Sequence, residues 1–243
     1  MASFLFCTCY FDVNGSANAS NRYTKWIDYY ETHTERFGTD YLFLIDDGSA
    51  AIPSSSRYAV HDAHNLPARL NKRINFFHFP DNLGRSSVHE YPGWWRSFIF
   101  SMALANVYGM RKIIHIESDF FIVSDRLASY IKSVETGWTA LYSQHYKFAE
   151  TGIQIITSDS FPAFERVALQ IQNNGYQAAG IAEKTLPFTQ VNQEFVGDRF
   201  GELDILEDWI AERSLPAHVD YVGQVLPHHR LDQFKPFFTF DLS

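Results

Sequence analysis

Residues 112–121 read KIIHIESDFF, an apolar run that ends in two carboxylates one residue apart. The run predicts a strand inside a sheet, because a strand covered on both faces is apolar at nearly every position. If the strand continues through Ser118, Glu117 and Asp119 lie on one face of it. Like charges held that close repel unless solvent separates them or a cation joins them. The stretch therefore predicts a central strand with a charged site at its end, and His115 is interpreted as a core histidine.

Apolar runs and helical patterns alternate along the first half of the chain. The run YLFLI ends at DDGS, a turn signal, and the second helical pattern ends at Gly109, a usual helix terminator. The predicted strands cover residues 3–10, 41–45, 74–80 and 112–116, and the predicted helices cover residues 22–36 and 94–108. This order predicts an α/β fold with a mostly parallel central sheet flanked by helices.

The second half of the chain is less regular. Strands are predicted over residues 138–144 and 152–158, and helices over residues 161–174 and 206–214. No internal repeat, low-complexity segment or linker divides the sequence. We therefore expect a single domain over residues 1–243.

Composition and charge limit the classes of partner. The formal charge of −8 argues against general nucleic-acid binding, which needs a basic surface. It leaves phosphorylated ligands open, because a bound metal ion can reverse the local charge. The sequence has no apolar run of 18 residues and no signal-peptide pattern at its start, so no transmembrane segment is expected, while peripheral membrane contact stays open. Cys7 and Cys9 are interpreted as buried thiols in a reducing compartment, which predicts a cytoplasmic location.

Acidic residues follow two of the predicted strands. Asp46 and Asp47 end one strand, and Glu117 and Asp119 end another. Ligands of open parallel sheets bind beyond the carboxyl ends of the strands. Carboxylates suit Mg²⁺ or Mn²⁺, which commonly bind one or two of them together with substrate phosphates. Each cluster alone is compatible with a turn or a solvated strand end, but the two in this order favour a binding site.

Three segments resemble those of GT-A glycosyltransferases. FLIDDGSA (43–50) resembles their first nucleotide-binding segment, and DNLGR (81–85) is similar to their Asn-x-Gly segment. Residues 94–122 resemble the long helix and the strand that ends in the Asp-x-Asp metal motif. Here that motif is Glu117-Ser118-Asp119, and the glutamate keeps the charge on a longer arm. The resemblance, to inverting family 2 enzymes, covers about residues 3–125.

The resemblance implies a Rossmann-like GT-A fold with a nucleotide-sugar-binding half (1–125) and an acceptor-binding half (126–243). It implies sugar transfer from a nucleotide-diphospho-sugar, expected to be a UDP-sugar, to a saccharide or glycolipid acceptor in polysaccharide biosynthesis. Mn²⁺ or Mg²⁺ would bridge the diphosphate and stabilise it as the leaving group. Asp119 would bind the ion, and Glu117 would contact the ion or the ribose. The implied nucleotide-sugar contacts are Thr8, Tyr10, Asp46, Asp47, Arg85, Glu117, Ser118 and Asp119.

The second half offers candidates for the remaining chemistry. Inversion needs a general base for the acceptor hydroxyl. The Glu207-Asp208 pair resembles that of inverting GT-A enzymes, with Asp208 as the base and Glu207 as an acceptor contact. The alternative is that both complement a helix dipole. Trp209 beside them is the expected aromatic platform for a sugar.

Two segments of the second half resemble a competing template of the same fold, that of the retaining enzymes. AETGIQIIT (149–157) and HHRLDQFKPF (228–237) resemble the Asn-x-Gly and His-x-x-Gly-x-x-Lys-Pro segments of retaining enzymes, although the asparagine and the second glycine are missing. Under that template His228 or His229 is the third metal ligand and Lys235 meets a phosphate.

Three other classes of function were weighed. A sugar nucleotidyltransferase shares the paired carboxylates but usually has a glycine-rich basic loop after its first strand, where this chain has only Gly15, Arg22 and Lys25. A binding module or inactive homologue stays open. A dinucleotide-binding oxidoreductase is disfavoured, because no Gly-x-Gly-x-x-Gly follows any predicted strand.

Overall fold

The computed structural model describes residues 2–11, 17–87, 89–200 and 218–225 of the chain. The strands in this part are β1 (Ser3–Cys9), β2 (Tyr41–Asp46), β3 (Tyr58–Asp62), β4 (Ile74–His78), β5 (Lys112–Ile116), β6 (Phe121–Ile122), β7 (Trp138–Ser143), β8 (Phe148–Thr157), β9 (Gln190–Asn192), β10 (Gly197–Asp198) and β11 (Tyr221–Val222). The helices are α1 (Ala17–Phe37), α2 (Pro92–Val107), α3 (Asp125–Ser133), α4 (Phe161–Asn173) and α5 (Ala182–Thr185).

The main sheet has eight strands in the order β3-β4-β2-β1-β5-β8-β7-β9. The first five are parallel to one another, β8 is antiparallel to both β5 and β7, and β9 is parallel to β7. A separate small sheet has the order β10-β11-β6, in which β10 is parallel and β6 antiparallel to β11. Since β2 and β5 lie on opposite sides of β1, the strand order reverses at β1. Ligand crevices of open α/β sheets form at such a reversal.

The two faces of the main sheet carry separate helix pairs. On β1, Leu5 and Cys7 face a core that includes Trp26 of α1 and Leu127 of α3. The alternate residues of the same strand, Phe4 and Phe6, face a second core that includes Trp95 and Phe98 of α2 and Phe164 of α4. This alternation is the period of a strand buried on both faces, so the apolar runs of the sequence correspond to the central strands.

The predicted α/β class and its mostly parallel sheet are confirmed. Strand β5 has the predicted bounds, and α1 begins five residues before the predicted helix. The prediction omitted β3, an edge strand whose side chains are half-buried or exposed. An edge strand lacks the continuous apolar run that identified the central strands, so its pattern carries less information.

The strand that precedes Glu117-Ser118-Asp119 ends before these three residues. Strand β5 stops at Ile116, and the Phe120 N–H donates to the Glu117 carbonyl at 2.9 Å to close a turn. The Glu117 N–H donates to the Gly152 carbonyl of β8 at 2.9 Å. The expectation that Glu117 and Asp119 share one face of a continued strand is therefore wrong. Both carboxylates belong to a turn that β8 and the small sheet hold in place.

Cys7 and Cys9 are buried free thiols, as expected from the sequence. Burial raises the pKa of both, so both are held as neutral thiols. Within the described ranges, no helix has the length and apolar character needed to cross a bilayer.

Lys112 gives the fold a pH dependence of known sign. Its ammonium donates to the carbonyls of Ile131 and Lys132, at 2.6 and 3.0 Å, where α3 ends. Burial lowers the pKa of Lys112 to about 8. The unfolded chain, with a lysine pKa of about 10.4, therefore binds more protons than the folded chain between these two values, and stability rises with pH there. We expect the free energy of unfolding of the wild type to rise relative to Lys112→Met between pH 8 and 10, measured by urea unfolding. A difference independent of pH would contradict the placement of this lysine.

Candidate functional site

A cleft of about 1050 Å³ opens at the carboxyl ends of β1, β2 and β5. Its volume suits a small-molecule ligand, and its position is the reversal of the strand order. The acidic and guanidinium side chains among the described lining residues are Arg22, Asp47, Arg85, Glu117, Asp119, Glu150, Glu183 and Arg199. Five carboxylates against three guanidiniums leave a formal charge of −2 on this lining. An anionic ligand would therefore gain from an added cation.

Glu117 lies at the floor of the cleft, where three side chains surround its carboxylate. The Trp94 indole N–H donates to Oε1, and the Thr8 hydroxyl donates to Oε2 at 3.3 Å. His115 Nε2 lies 3.3 Å from Oε1 without the alignment of a hydrogen bond. Burial raises the pKa of Glu117, but the His115 imidazole, the Trp94 hydrogen bond and the Arg22 charge outweigh it and hold the pKa below its usual value. Glu117 is thus an ionised carboxylate in a fixed orientation.

Asp119 lies two residues further along the same turn and has a different partner. Its Oδ2 lies 2.6 Å from Nη2 of Arg22, which α1 brings over the end of β5. The Asp119 side chain is 7% exposed and that of Arg22 is 31% exposed. Burial raises the pKa of Asp119, the Arg22 guanidinium opposes that shift, and the Glu117 charge adds to it. Asp119 is therefore a buried carboxylate that depends on a nearby cation for its charge.

Asp46 is fully buried at the end of β2 and does not line the cleft. The Ser49 hydroxyl donates to its Oδ1 and the Ser49 N–H donates to its Oδ2 at 2.9 Å. His78 Nδ1 lies 2.7 Å from Oδ2. The expected contact between Asp46 and a nucleotide does not fit this placement, because the carboxylate is fully buried and lies outside the cleft lining. Asp46 stabilises the turn that follows β2.

Asp47 lines the cleft, but its carboxylate also has internal partners. Arg96 of α2 donates to Oδ1, and Oδ2 accepts from the Gly84 N–H at 2.9 Å and from the Asn82 amide at 3.0 Å. Burial raises the pKa of Asp47, against the lowering effects of the Gly84 N–H and of Arg96. Asp47 therefore ties the loop at residues 82–85 to α2.

Arg85 lies on that loop, at the rim of the cleft. Its Nε donates to the Ser87 carbonyl at 2.8 Å, and the side chain is exposed. The expected phosphate contact requires a guanidinium that lines the cleft, and Arg85 does so. The support for its loop comes from Asp47 rather than from Arg85 itself.

Gly48 is required where this loop meets the turn after β2. Its φ is +73°, and a Cβ there would lie 2.2 Å from the carbonyl carbon and oxygen of Asp81. Gly109 is a matched control, because its φ is +63° and a Cβ there meets nothing within 4 Å. We expect Gly109→Ala to cost about 1 kcal/mol from backbone strain, and Gly48→Ala to cost roughly 2 kcal/mol more because backbone atoms must move. Equal losses in urea unfolding would show that the loop accommodates the methyl group.

The predicted contacts on β1 also lie in the cleft. Thr8 and Tyr10 are half-buried at its edge, and the Tyr23 hydroxyl bridges the backbone of Tyr10 by accepting from its N–H at 2.9 Å and donating to its carbonyl at 3.2 Å. Ser118 lines the cleft between the two carboxylates of the turn and is 2% exposed. These residues place aromatic and hydroxyl groups beside Glu117.

The opposite side of the cleft carries a buried charge network. Arg199 donates through Nε to Glu150 Oε2 at 2.8 Å and through Nη2 to Glu150 Oε1 at 3.0 Å. The same Nη2 lies 3.0 Å from Glu183 Oε1, which also accepts from the Thr151 hydroxyl at 3.2 Å. Burial raises the pKa of Glu150, and Arg199 opposes that shift. The network gives the cleft a polar side suited to hydroxyl-bearing ligands.

Sequence reasoning missed three side chains that contact the acidic turn. Arg22 was considered only as a loop cation, and its contact with Asp119 depends on how α1 packs. The Trp94 indole N–H donates to Glu117, a contact that depends on how α2 packs against the end of β5. His115 is a core histidine, as interpreted, but it also faces Glu117. The spacing of two between His115 and Glu117 was a signal, because residues i and i+2 of a strand point the same way.

Several predicted site residues lie outside the described residues. These are the proposed base pair Glu207 and Asp208 with the neighbouring Trp209, the histidines His228 and His229, and Lys235. Their roles stay predictions.

The acidic turn was tested for its fit to a divalent cation. No group of three or more His, Cys, Asp and Glu side chains suited to a metal ion occurs in the described ranges. Glu117 and Asp119 supply oxygen atoms only, and two carboxylates with substrate phosphates are a usual ligand set for Mg²⁺. Asp119 already has a cationic partner, the Arg22 guanidinium, at 2.6 Å. The pair therefore fits an ion that binds together with a diphosphate.

Comparisons with known proteins give a distant structural similarity. No protein-family model matches the chain, and no curated protein matches it. Among solved structures, the chain is similar to the crystal structure of a glycosyltransferase involved in the glycosylation of the major capsid of PBCV-1. The TM-score is 0.48, the identity is 8%, and the match covers 98% of each chain.

Proposed function

We propose that the chain is a glycosyltransferase that moves a sugar from a nucleotide-diphospho-sugar, a UDP-sugar in the first instance, to a saccharide or glycolipid acceptor. The observation that carries the proposal is the acidic turn after β5. It holds Glu117 and Asp119 on the floor of a cleft at the reversal of the strand order. Two carboxylates held this close at the end of a strand are favourable if a cation and an anionic ligand bind there together.

The nucleoside would bind over the ends of β1 and β2. Tyr10 and Tyr23 offer aromatic surface there, and the Thr8 hydroxyl already contacts Glu117. The loop at residues 82–85 closes the other edge of this part of the cleft. Asp47 would act by holding that loop rather than by contacting the base directly, since its oxygens accept hydrogen bonds from the loop and from Arg96.

The diphosphate would lie over the acidic turn. Asp119 and Glu117 would hold Mn²⁺ or Mg²⁺, which supplies positive charge to the departing nucleoside diphosphate. Arg22 and Arg85 both line the cleft and would donate to phosphate oxygens. Because carboxylates outnumber arginines in the lining, the arginines alone do not give the cleft a net positive charge.

The donor sugar and the acceptor would meet beside the network of Arg199, Glu150 and Glu183. Buried, oriented carboxylates and a guanidinium are good partners for sugar hydroxyls. We propose inversion, with Asp208 as the base that takes the proton of the acceptor hydroxyl as that oxygen attacks the anomeric carbon. Retention within the same fold is the alternative.

The test is a panel of nucleotide-sugars assayed for slow hydrolysis with MnCl₂, MgCl₂ or EDTA. We expect one nucleoside diphosphate to be released above background, and the rate to fall with EDTA. Release of pyrophosphate from a nucleoside triphosphate and a sugar 1-phosphate would instead identify a sugar nucleotidyltransferase. Turnover in neither assay, by protein that is folded, would contradict both enzymatic functions.

A further inference from the structure

We propose that Arg22 is an internal counter-ion that passes from Asp119 to the donor diphosphate when a metal ion and nucleotide bind together. The inference rests on the proposed function, because it concerns the same cleft. It adds a role for a residue outside the acidic motif: Arg22 couples metal binding to nucleotide binding.

The two carboxylates of the turn have different kinds of partner. Glu117 accepts from the neutral donors Trp94 and Thr8. Asp119 instead forms an ion pair of 2.6 Å with Arg22. A buried carboxylate without a partner is costly, so the Arg22 contact stabilises the Asp119 carboxylate. An ion bound by Asp119 replaces the function of that contact and leaves the guanidinium available.

Arg22 is suited to a second partner. Its side chain lines the cleft and is 31% exposed. Its buried Nε has no hydrogen-bond partner among the described residues. A guanidinium can use Nε and one Nη together to bind two oxygens of a phosphate. The donor atoms needed for a phosphate are therefore already present, and one of them is unused.

A thermodynamic consequence follows from this exchange of partners. Binding of a metal ion alone must displace Arg22 from Asp119 and leave the guanidinium without an anion. Binding together with a nucleoside diphosphate gives the guanidinium a new anion, so that penalty is removed. Nucleotide and metal ion then strengthen the binding of each other by more than their direct contact provides, and the effect is reciprocal.

The experiment is isothermal titration calorimetry of MnCl₂ alone, and of UDP with and without saturating MnCl₂. In Arg22→Gln we expect Mn²⁺ alone to bind at least 5-fold tighter than in the wild type, and UDP with Mn²⁺ to bind at least 5-fold weaker, at the lower end of typical coupling factors. The factor by which Mn²⁺ strengthens UDP binding should fall accordingly. The complex of Mn²⁺ and UDP in solution is common to all variants and cancels in the comparison.

Two further variants separate the exchange from simpler effects. Arg85→Gln removes the same charge from the same cleft without touching Asp119, and we expect it to change the affinity for Mn²⁺ alone by less than about twofold in 0.15 M salt. Arg22→Lys keeps the charge, so we expect its coupling between Mn²⁺ and UDP to lie between that of Arg22→Gln and that of the wild type. If Arg22→Gln does not fold, the same titrations of Arg22→Lys, compared with the wild type, decide the question.

The outcomes distinguish this inference from the proposed function. Wild-type protein that binds none of UDP, GDP, CDP and ADP with Mn²⁺ would overturn both. If the wild type binds UDP, two results would overturn the exchange alone. One is a coupling between Mn²⁺ and UDP that is the same in Arg22→Gln as in the wild type. The other is a gain in affinity for Mn²⁺ in Arg22→Gln that equals the gain in Arg85→Gln.

Discussion

Asp119→Asn should lower kcat/KM for the donor by about 10³-fold, or roughly 4 kcal/mol of transition-state stabilisation. The amide keeps the size of the side chain but removes the charge that would hold the cation beside the leaving diphosphate. It also removes the ion-pair partner of Arg22. Glu117→Gln should lower kcat/KM by about 10²-fold or more for the same electrostatic reason, while the Trp94 indole N–H can still donate to the amide oxygen.

The control for both variants is Asp28→Asn, which removes one exposed negative charge that does not line the cleft. Asp28 is 56% exposed on α1 and pairs with Arg57. Its replacement should leave kcat/KM within about twofold, because the charge is exposed to solvent, is screened by salt and makes no contact with the cleft. Donor hydrolysis at the wild-type rate by Asp119→Asn would remove the acidic turn from the mechanism.

Asp47→Ala should destabilise the fold by about 3 kcal/mol or more. Asp47 and Arg96 form a buried ion pair, with side chains 8% and 5% exposed. Loss of the carboxylate leaves the guanidinium undercompensated and removes the acceptor for the Gly84 N–H. The loop that carries Arg85 loses its attachment to α2, so we also expect KM for the donor to rise in protein that stays folded. Urea unfolding and steady-state kinetics measure the two effects.

Asp81→Ala is the matched control for this prediction. Asp81 also pairs with Arg96, at 2.9 Å, but its side chain is 60% exposed. Exposed ion pairs contribute little, so its removal should cost less than about 1 kcal/mol. Equal losses for Asp47→Ala and Asp81→Ala would mean that burial of the Asp47 pair is not what stabilises the loop.

The central strands could be predicted because their sequence is under one constraint. A parallel strand covered on both faces is apolar throughout, and β1, β2 and β5 all show that run. The edge strand β3 escapes this constraint, which is why its sequence gave no comparable signal. The small sheet joins strands of two residues each from distant parts of the chain, and no local pattern specifies such a pairing.

The candidate site was predictable in position and less so in detail. Asp47, Glu117 and Asp119 line one cleft because they follow β2 and β5, the parallel strands on either side of β1. The partners of these carboxylates depend on helix packing. Arg22 and Arg96 reach the site from α1 and α2, and neither contact follows from spacing along the chain. Asp46 and Asp47 are adjacent in sequence, but only the structure separates the internal carboxylate from the one in the cleft.

The most direct test of the account is the melting temperature of the wild-type chain with UDP, GDP, CDP and ADP, each with MnCl₂ and with EDTA. A ligand at 100 times its Kd stabilises the fold by about 2.7 kcal/mol, which for a chain of this length is roughly 5–10 °C. The account predicts such a rise for one nucleoside diphosphate, and its loss with EDTA and in Asp119→Asn. No rise with any of the four, with or without Mn²⁺, would contradict the claim that the cleft binds a nucleotide-sugar.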